Sequence, residues 1–551
     1  MISRTPAPVF PCGEHRLGLR SIISQRAIRI LAVGFISLQA IAIARVANAQ
    51  QPSPGCEMAL PYLTSAQTPL TAADSATALE RLNRAIEVAP KCADAYLLLG
   101  LTEFQRRETA KAIQYYKHSL ELQPRSYSAH YNLALAYVRE HELQEARAQL
   151  EQAVILDPDQ ADAAYDLGMV LLELGKPSAA LAHLHRARAL NPKRPDVAFN
   201  IVRAQLEAGR IPEARAAAQD SAKHFGADFQ WSASIGQLFL QKAHAKDAVP
   251  YLLQASRMRP DDLEIRHQLA VAYLESGQAD EVLSTIAEPK TADDHYLRAS
   301  AYYISHRFPE ADQESELALG LSPDNPQILV LRTRLLQRAG EQDEALLMAQ
   351  KATSLAPKWD QPYYLAGVSY YFIRRYEQAE QTLARAVEFN PNSARALFLE
   401  SIALANLGKI DDAERCLRRA IALQPENARL HCHLGILLAR KNEKAKAEDS
   451  LKKATQLKPD YALSHYELGK LLASSRQLRP AAEELEQAVK HDPGLSAAYY
   501  QLSRVYAKLG DAEKSEHMLA EFQRLYQQEA RDSGPVDQAQ DDDARKETEV
   551  P

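Results

Sequence analysis

Residues 161–194 read ADAAYDLGMVLLELGKPSAALAHLHRARALNPKR, and this stretch decides the fold. A first run has its apolar residues at helical spacing and stops at Gly175, and a second such run stops at Pro192. Glycine accepts the left-handed conformation that closes a helix, whereas proline cannot continue one. The stretch therefore predicts two short amphipathic helices in a hairpin, which needs neighbours on both sides to bury its apolar face.

The same markers return every 34 residues in both directions along the chain. Two series of prolines follow this period: Pro90, Pro124, Pro158 and Pro192, with Pro260 two periods later, and then Pro323, Pro357, Pro391, Pro425, Pro459 and Pro493. Alanines move with them at another repeat position: Ala146, Ala180, Ala214, Ala248, Ala345, Ala379, Ala413, Ala447 and Ala481. A 34-residue period with this signature resembles the tetratricopeptide repeat family. The resemblance implies an all-α fold, an α-solenoid superhelix of stacked helix-turn-helix hairpins with about 13 full repeats plus a half repeat.

The repeat phase predicts the organisation of the chain. We expect a signal peptide at 1–49, a linker or irregular cap at 50–73, repeat segments at 74–291 and 292–529, and a disordered acidic tail at 530–551. The repeat at 263–291 is shorter than the others, so we expect it to interrupt the regular superhelix. The final repeat lacks the closing proline. This fits its terminal place, because terminal units of solenoids are often atypical.

The first 49 residues have the layout of a secretory signal peptide. Several arginines precede an apolar run at 30–44, and the small residues Ala47 and Ala49 follow. The run is short for a bilayer span of roughly 20 residues. We therefore predict export to the periplasm or the cell exterior with cleavage after Ala49, and no stable membrane span afterwards. An uncleaved membrane anchor is the alternative.

Composition and cysteines narrow the class of protein further. Charged residues make up 25% of the chain with a net charge of −6, which argues against a general nucleic-acid binder. Because an exported chain can form disulfides, Cys56 and Cys92 are informative. They lie 36 residues apart at nearly the same repeat phase, so they are disulfide candidates, with two free thiols as the alternative. For Cys416 and Cys432 we expect burial or simple exposure.

No catalytic, metal or cofactor site emerges from the sequence. His431, Cys432 and His433 resemble a metal cluster, but consecutive helical residues point about 100° apart and cannot converge on one ion. We expect His431 in the core and the other two on the surface. The chain has no glycine-rich phosphate loop, Gly-x-Ser-x-Gly or HExxH motif. We therefore predict a non-enzymatic protein without a cofactor.

The family resemblance implies a concave binding face at repeat positions 2, 5, 9, 12 and 13. Carried over by position, it gives an aromatic row: Tyr131, Tyr165, Phe199, Tyr296, Tyr364, Tyr371, Phe398, Tyr466 and Tyr500. At position 6, Asn132, Asp166 and Asn200 form a short polar ladder that could grip a peptide backbone. The alternative for the aromatics is packing between repeats.

The charges at these concave positions differ between the two repeat segments. The first seven full repeats carry mostly acids: Asp94, Asp162, Glu173, Asp196, Glu207, Glu264, Glu275 and Asp293, against Arg139 and Arg203. The remaining six carry only bases: Arg334, Arg338, Arg395, Arg429, Arg440, Lys470, Arg504 and Lys508. We therefore predict that the C-terminal half binds an acidic segment of a protein partner.

These patterns favour a protein-binding scaffold that presents a concave groove to partner segments outside the cytoplasm. The resemblance implies roles such as envelope assembly, secretion or exopolysaccharide export, and no residue selects among them. The alternative is a polysaccharide-binding scaffold that stacks sugar rings on the aromatic row.

Overall fold

The computed structural model describes residues 54–71 and 74–532, and every regular element within these ranges is an α-helix. The chain divides into two compact units, one up to Thr285 and one from Ile286. Unit 1 contains α1 (Leu60–Thr71), α2 (Ser75–Val88), α3 (Ala93–Gln105), α4 (Thr109–Leu122), α5 (Tyr127–Arg139), α6 (Leu143–Leu156), α7 (Ala161–Glu173), α8 (Pro177–Leu190), α9 (Pro195–Glu207), α10 (Ile211–Phe225), α11 (Phe229–Gln241), α12 (Ala245–Met258), α13 (Leu263–Glu275) and α14 (Ala279–Thr285).

Unit 2 continues the alternation of first and second helices. It contains α15 (Ala292–Ile304), α16 (Phe308–Leu321), α17 (Pro326–Ala339), α18 (Gln342–Leu355), α19 (Asp360–Phe372), α20 (Tyr376–Phe389), α21 (Ala394–Asn406), α22 (Ile410–Leu423), α23 (Ala428–Arg440), α24 (Lys444–Leu457), α25 (Ala462–Ser474), α26 (Leu478–His491), α27 (Ser496–Leu509) and α28 (Ala512–Asp532). Each unit is an all-α solenoid of helical hairpins, which confirms the predicted fold class.

Residues 161–194 show how one hairpin is built. A Cβ added to Gly168 in α7 would lie 2.7 Å from Cγ of Leu184 in α8, so only glycine allows this close approach. Gly175 adopts a φ of +69° in the turn, a conformation that glycine accepts without strain. Leu184 and Ala187 are fully buried and join a core that continues into the neighbouring hairpins. Stacking therefore completes the burial that a single hairpin lacks.

The short repeat at 263–291 has an ordinary first helix and a reduced second one. α13 has 13 residues, whereas α14 has only 7. α15 then begins with a capping box, in which Thr291 Oγ1 accepts a hydrogen bond from the Asp294 backbone N–H and Asp294 accepts one from the Thr291 N–H. This cap restarts regular repeats in unit 2.

The segment predicted as a linker or irregular cap contains a helix instead. α1 places Pro61 in its first turn, where proline is tolerated, and its buried Leu63 packs in one cluster with Leu82 of α2. Cys56 and Cys92 are joined by a disulfide, with Cα atoms 4.5 Å apart. The half repeat expected at the start of the 74–291 segment is thus the second helix of a complete hairpin.

The C-terminal prediction also needs a correction. α28 runs through Asp532, so residues 530–532 are helical rather than disordered. No proline interrupts this segment, and the helix therefore continues beyond the expected end of the repeat. The rest of the predicted tail and the predicted signal peptide at 1–49 lie outside the described residues. Among the described helices, none is both long and apolar enough to cross a membrane.

Candidate binding face

The candidate face is formed by positions 2, 9 and 13 of the first helices of the repeats. These positions are seven and four residues apart, so their side chains fall on one stripe of each helix. In unit 2, the rings of Phe398 in α21 and His433 in α23 lie 4.8 Å apart, at positions 5 and 6 of consecutive repeats. First helices of consecutive repeats are therefore in register, and their stripes adjoin.

In unit 2 this stripe carries a set of cations that we call the basic row. It comprises Arg334, Arg338, Arg395, Arg429, Arg440, Lys470, Arg504 and Lys508. Arg338, Arg440, Lys470, Arg504 and Lys508 are exposed, and the other three are partly exposed. The row is therefore accessible to a ligand along the stacked first helices.

Aromatic rings support several members of the basic row. The guanidinium carbon of Arg338 lies 3.8 Å from the ring centre of Phe308, and that of Arg395 lies 5.3 Å from Tyr364. Lys470 lies 5.0 Å from the Tyr466 ring. A cation over an aromatic face is attracted by the ring quadrupole. Lys470 also pairs with the Glu467 carboxylate at 2.6 Å.

Arg334 in α17 has an unusual environment for a cation. Loss of hydration lowers the pKa of its guanidinium; Tyr303 opposes this effect, and the charge of Arg395 adds to it. Within the described residues, Arg334, Arg440, Arg504 and Lys508 make no ion pair with a carboxylate. A partly desolvated cation without an acidic partner is unfavourable unless a ligand supplies the negative charge.

The corresponding stripe of unit 1 carries acids, which we call the acidic row: Asp94, Asp162, Glu173, Asp196, Glu207, Glu264 and Glu275. Arg194 pairs with Asp162 at 2.7 Å and with Asp196 at 2.6 Å. Burial opposes a higher pKa for Arg194, but its hydrogen bond to Asp196 and the two carboxylate charges raise it. The unit thus supplies its own counter-ions.

Arg203 and Lys242 extend this internal pairing. Arg203 lies 3.1 Å from both Glu173 and Glu207, and Lys242 lies 3.3 Å from Glu207. Sequence reasoning missed Arg194 and Lys242 because they sit at positions 34 and 14, outside the five concave positions. The sequence did contain a signal for the first of these pairings, because Arg194 directly precedes the helix that carries Asp196.

The structure buries most of the predicted aromatic row. Tyr131, Phe199, Tyr364, Tyr371 and Phe398 are buried, Tyr165, Tyr296 and Tyr466 are partly buried, and Tyr500 is exposed. Burial raises the pKa of Tyr466 to about 12. Packing between repeats, the alternative for these aromatics, therefore accounts for most of the rings, and Tyr500 is the most accessible of them.

The polar ladder at position 6 is engaged inside unit 1. The Tyr131 hydroxyl donates to Asp166 at 2.7 Å, and Asn200 Nδ2 contacts the Tyr165 hydroxyl at 3.1 Å. Asn132 donates to a backbone carbonyl of its own helix at 2.8 Å. Burial raises the pKa of Asp166 to about 7, although the Tyr131 hydrogen bond opposes this. Asp166 and Asn200 thus connect neighbouring repeats, Asn132 bonds within its own helix, and all three side chains are buried.

The histidine and cysteine run in α23 differs from the expectation in its orientation. Cys432 and His433 are buried, whereas His431 is partly exposed and contacts the Pro425 carbonyl at 2.9 Å. The expected placement was therefore wrong, because the helix turns its sixth position, not its fourth, toward Phe398. Among the residues that the structure describes, no group of three His, Cys, Asp or Glu side chains is arranged to hold a metal ion.

Comparisons with known proteins identify the family. Three sequence models described as tetratricopeptide repeat match the chain, one at 63–127, 117–162, 131–195 and 398–462, another at 171–238, and a third at 360–393 and 496–529. Together they cover more than half of the sequence. The chain belongs to the tetratricopeptide repeat family.

Curated relatives match over a short segment. A stretch of 110 residues is 24% identical to the Hsp70-Hsp90 organizing protein of Triticum aestivum and 23% identical to Hsp70-Hsp90 organizing protein 2 of Arabidopsis thaliana. Each match covers 20% of this chain and 19% of the relative. The chain thus spans about a fifth of the length of these relatives.

Solved structures with similar folds include the APC/C hetero-tetramer Cut9-Hcn1, at 14% identity over 84% of this chain and 98% of that chain, with a TM-score of 0.41. YrrB, a TPR protein with an unusual peptide-binding site, is 25% identical over 34% of this chain and 96% of its own, with a TM-score of 0.30. MamA is 22% identical over 30% of this chain and 96% of its own, with a TM-score of 0.28. Similarities at these TM-scores carry no argument about function.

Family membership supports a general role. Tetratricopeptide repeats form scaffolds for protein–protein interaction, and a scaffold of this fold is typically non-enzymatic.

Proposed function

We propose that this chain is an exported, non-enzymatic scaffold whose unit 2 binds acidic protein segments along the basic row. The observation that carries the proposal is the excess of positive charge on this face. Its eight cations stand at concave positions without an acid at those positions in the same six repeats. A negatively charged ligand would neutralise these cations.

The cations are close enough together for their electrostatic potentials to add, so the row acts as one positive surface rather than as separate charges. Packed helices lie about 8–10 Å apart, which is close to the Debye length of about 8 Å in physiological salt. Charges on neighbouring repeats therefore add along the row. Arg334 supports anion binding in particular, because its guanidinium has lost part of its hydration and an anionic ligand would stabilise its charge.

Two features support an exported location. Residues 1–49 have the basic, apolar and small-residue order of a cleaved signal peptide. The Cys56–Cys92 disulfide suits an oxidising compartment, since such bonds rarely persist in the cytosol. The periplasm or the cell exterior is the proposed site of action, in envelope assembly, secretion or exopolysaccharide export. Intact-mass measurement of the protein from its host tests cleavage after Ala49, and a cytoplasmic pool that retains residues 1–49 would contradict it.

The binding proposal is tested with a fluorescent peptide of ten glutamates as the probe. Replacing Arg338, Arg395, Arg429 and Arg440 with Glu should weaken probe binding at least tenfold, because four attractive charges become repulsive. Binding to the unaltered chain should also weaken as salt rises from low to physiological ionic strength. Circular dichroism checks that the variant remains helical.

The second helices of unit 2 offer a matched control. Lys444, Lys453, Arg479 and Lys490 are exposed on α24 and α26 and make no ion pair within the described residues. Replacing these four with Glu changes the net charge equally but leaves the basic row intact, so probe affinity should stay within about twofold of the unaltered chain. An equal loss in both variants would show that net charge alone attracts the probe and would contradict the proposed face.

The polysaccharide-binding alternative gives a different result in the same assay. Burial of most aromatic rings weakens it, and Tyr500 remains as an accessible stacking surface. Binding of a neutral glycan that is insensitive to salt, together with no binding of the acidic peptide, would favour this alternative over the basic row.

A further inference from the structure

The chain carries an acidic segment directly after the last helix of unit 2. Residues 533–551 read SGPVDQAQDDDARKETEVP, with consecutive acids at Asp541, Asp542 and Asp543. This segment lies outside the described residues, and its sequence is opposite in charge to the basic row. The position of its attachment point decides whether it could reach that row.

The attachment point lies at the edge of unit 2 where the first helices begin. α28 returns antiparallel to α27, as shown by the Tyr500 and Phe522 rings at 5.2 Å. α28 has 21 residues and α27 has 14, so the end of α28 at Asp532 extends past the start of α27. Arg395 and Arg429 are the second residues of α21 and α23, and they therefore lie on the same edge.

The length of the segment is sufficient to reach these arginines. Asp541 is nine residues beyond Asp532, which allows a span of about 30 Å at 3.3–3.6 Å per residue. The repeat of Arg429 is two repeats before α27, or about 20 Å at a helix spacing of about 10 Å. The acidic triplet could thus lie across neighbouring repeats of the basic row.

We propose that residues 533–551 occupy the basic row of the same copy, with Asp541, Asp542 and Asp543 against the cations near Arg429, so that the chain shields its own binding face. This regulation rests on the proposed function of the row. Tethering gives a short segment an effective concentration on the order of 1 mM. A segment with an intrinsic dissociation constant of about 0.1 mM then covers the face about nine-tenths of the time and lowers the apparent affinity of an outside ligand about tenfold.

The test compares full-length variants in their affinity for the ten-glutamate peptide. Replacing Asp541, Asp542 and Asp543 with Asn should tighten probe binding about tenfold by removing the internal competitor. The matched control replaces Glu344, Asp449 and Glu483, which are exposed on the second helices of unit 2, with Gln, Asn and Gln, so that the same charge is removed away from the segment and the row. Its affinity for the probe should stay within about twofold of the unaltered chain.

Equal probe affinity in the unaltered chain and the triplet variant overturns the shielding, while loss of binding in the four-arginine variant would still uphold the proposed function. If no variant binds the probe, the proposed function fails, and carbodiimide cross-linking then decides the shielding independently. This reagent joins carboxylates to amines, so links from the triplet to the amine introduced by Arg429→Lys within one chain support the proposal. Absence of such links, or links only between two copies, overturns it.

Discussion

Arg203 in unit 1 and Arg334 in unit 2 occupy the ninth position of their repeats, and their surroundings are opposite. Arg203 lies 3.1 Å from both Glu173 and Glu207, whereas Arg334 has no carboxylate partner within the described residues. Both are partly exposed. Burial lowers the pKa in each case, but the hydrogen bonds and charges of the glutamates raise that of Arg203 overall, while that of Arg334 stays lowered.

This difference extends along both rows and indicates a division of roles. Unit 1 neutralises four of its row acids with Arg194, Arg203 and Lys242, so its charges contribute to its own structure. In unit 2, Arg334, Arg440, Arg504 and Lys508 have no carboxylate partner among the described residues, although like charges on adjacent repeats repel. A shared repeat framework therefore carries one face whose acids pair within the unit and one face on which several cations make no ion pair within the described residues.

The largest expected effect concerns Asp166, the buried acid behind the row of unit 1. Its pKa rises from 3.8 to about 7 on folding, so the folded state retains a proton that the unfolded chain has lost. Stability should therefore fall as pH rises from about 4 to about 7, by on the order of 4 kcal/mol at 1.4 kcal/mol per pKa unit. Urea unfolding across this pH range measures the decline.

Asp166→Asn provides the control, because asparagine keeps an oxygen that accepts the Tyr131 hydrogen bond but does not titrate. The variant should lose most of this decline, and the difference between the two pH profiles isolates Asp166 from other titrating groups. Position 6 in the repeats from 292 to 394 of unit 2 holds Leu297, Leu331, Leu365 and Leu399. Identical pH profiles would contradict a strongly raised Asp166 pKa and remove this contrast with the four leucine positions of unit 2.

The next effect concerns the Cys56–Cys92 disulfide, which reinforces only the N-terminal end of unit 1. The two cysteines are 36 residues apart in sequence, and for a loop of this length the chain-entropy model gives about 3.8 kcal/mol. Cys56→Ala with Cys92→Ala should therefore speed amide exchange in α1 and α2 and leave α27 unchanged. Non-reducing peptide mapping verifies the bond beforehand. Two free thiols in exported material, or unchanged exchange in the variant, would contradict the expected reinforcement.

Much of the fold followed from the sequence because the repeat period is a dense signal. Prolines, small residues and apolar positions recur together, so their register predicts helix positions within a few residues. The exceptions occur where the pattern ends. α1 was missed because the stretch rich in Pro, Ser and Thr lacks the repeat signature, although Leu63 and Ala66 provide a buried face. α28 was predicted too short because the absence of a stop signal does not specify an end.

The candidate face was less predictable, since repeat position indicates direction but not partners. Position 5 aromatics pack between repeats because their large rings fill the space that stacking leaves. Arg298 and Arg332 occupy the seventh position of their repeats, where most other repeats of this chain have leucine or isoleucine. Arg298 nevertheless pairs with Glu314, and Arg332 pairs with Asp312 and Glu316. Arg194 likewise reaches its acids from a position outside the concave set. Such pairings depend on distances across helices that the order of residues does not encode.

The smallest expected effect tests the contrast between Arg203 and Arg334 directly, with one substitution at two equivalent positions. Arg203→Met should lower the free energy of unfolding by about 1–2 kcal/mol, because Glu207 loses a hydrogen-bonded, partly buried partner. Arg334→Met should leave it unchanged or raise it by up to about 1 kcal/mol, since methionine keeps the apolar contacts and removes a desolvated charge. Urea unfolding gives the total change, and amide exchange in α9 and α17 assigns it to the repeat concerned. Adding Glu207→Gln to Arg203→Met should recover part of the loss, which identifies as its cause the Glu207 carboxylate that keeps only Lys242 as a partner. Equal losses at both positions would show that both arginines act through side-chain packing, and the contrast between a satisfied and an unsatisfied face would then fail at its central pair.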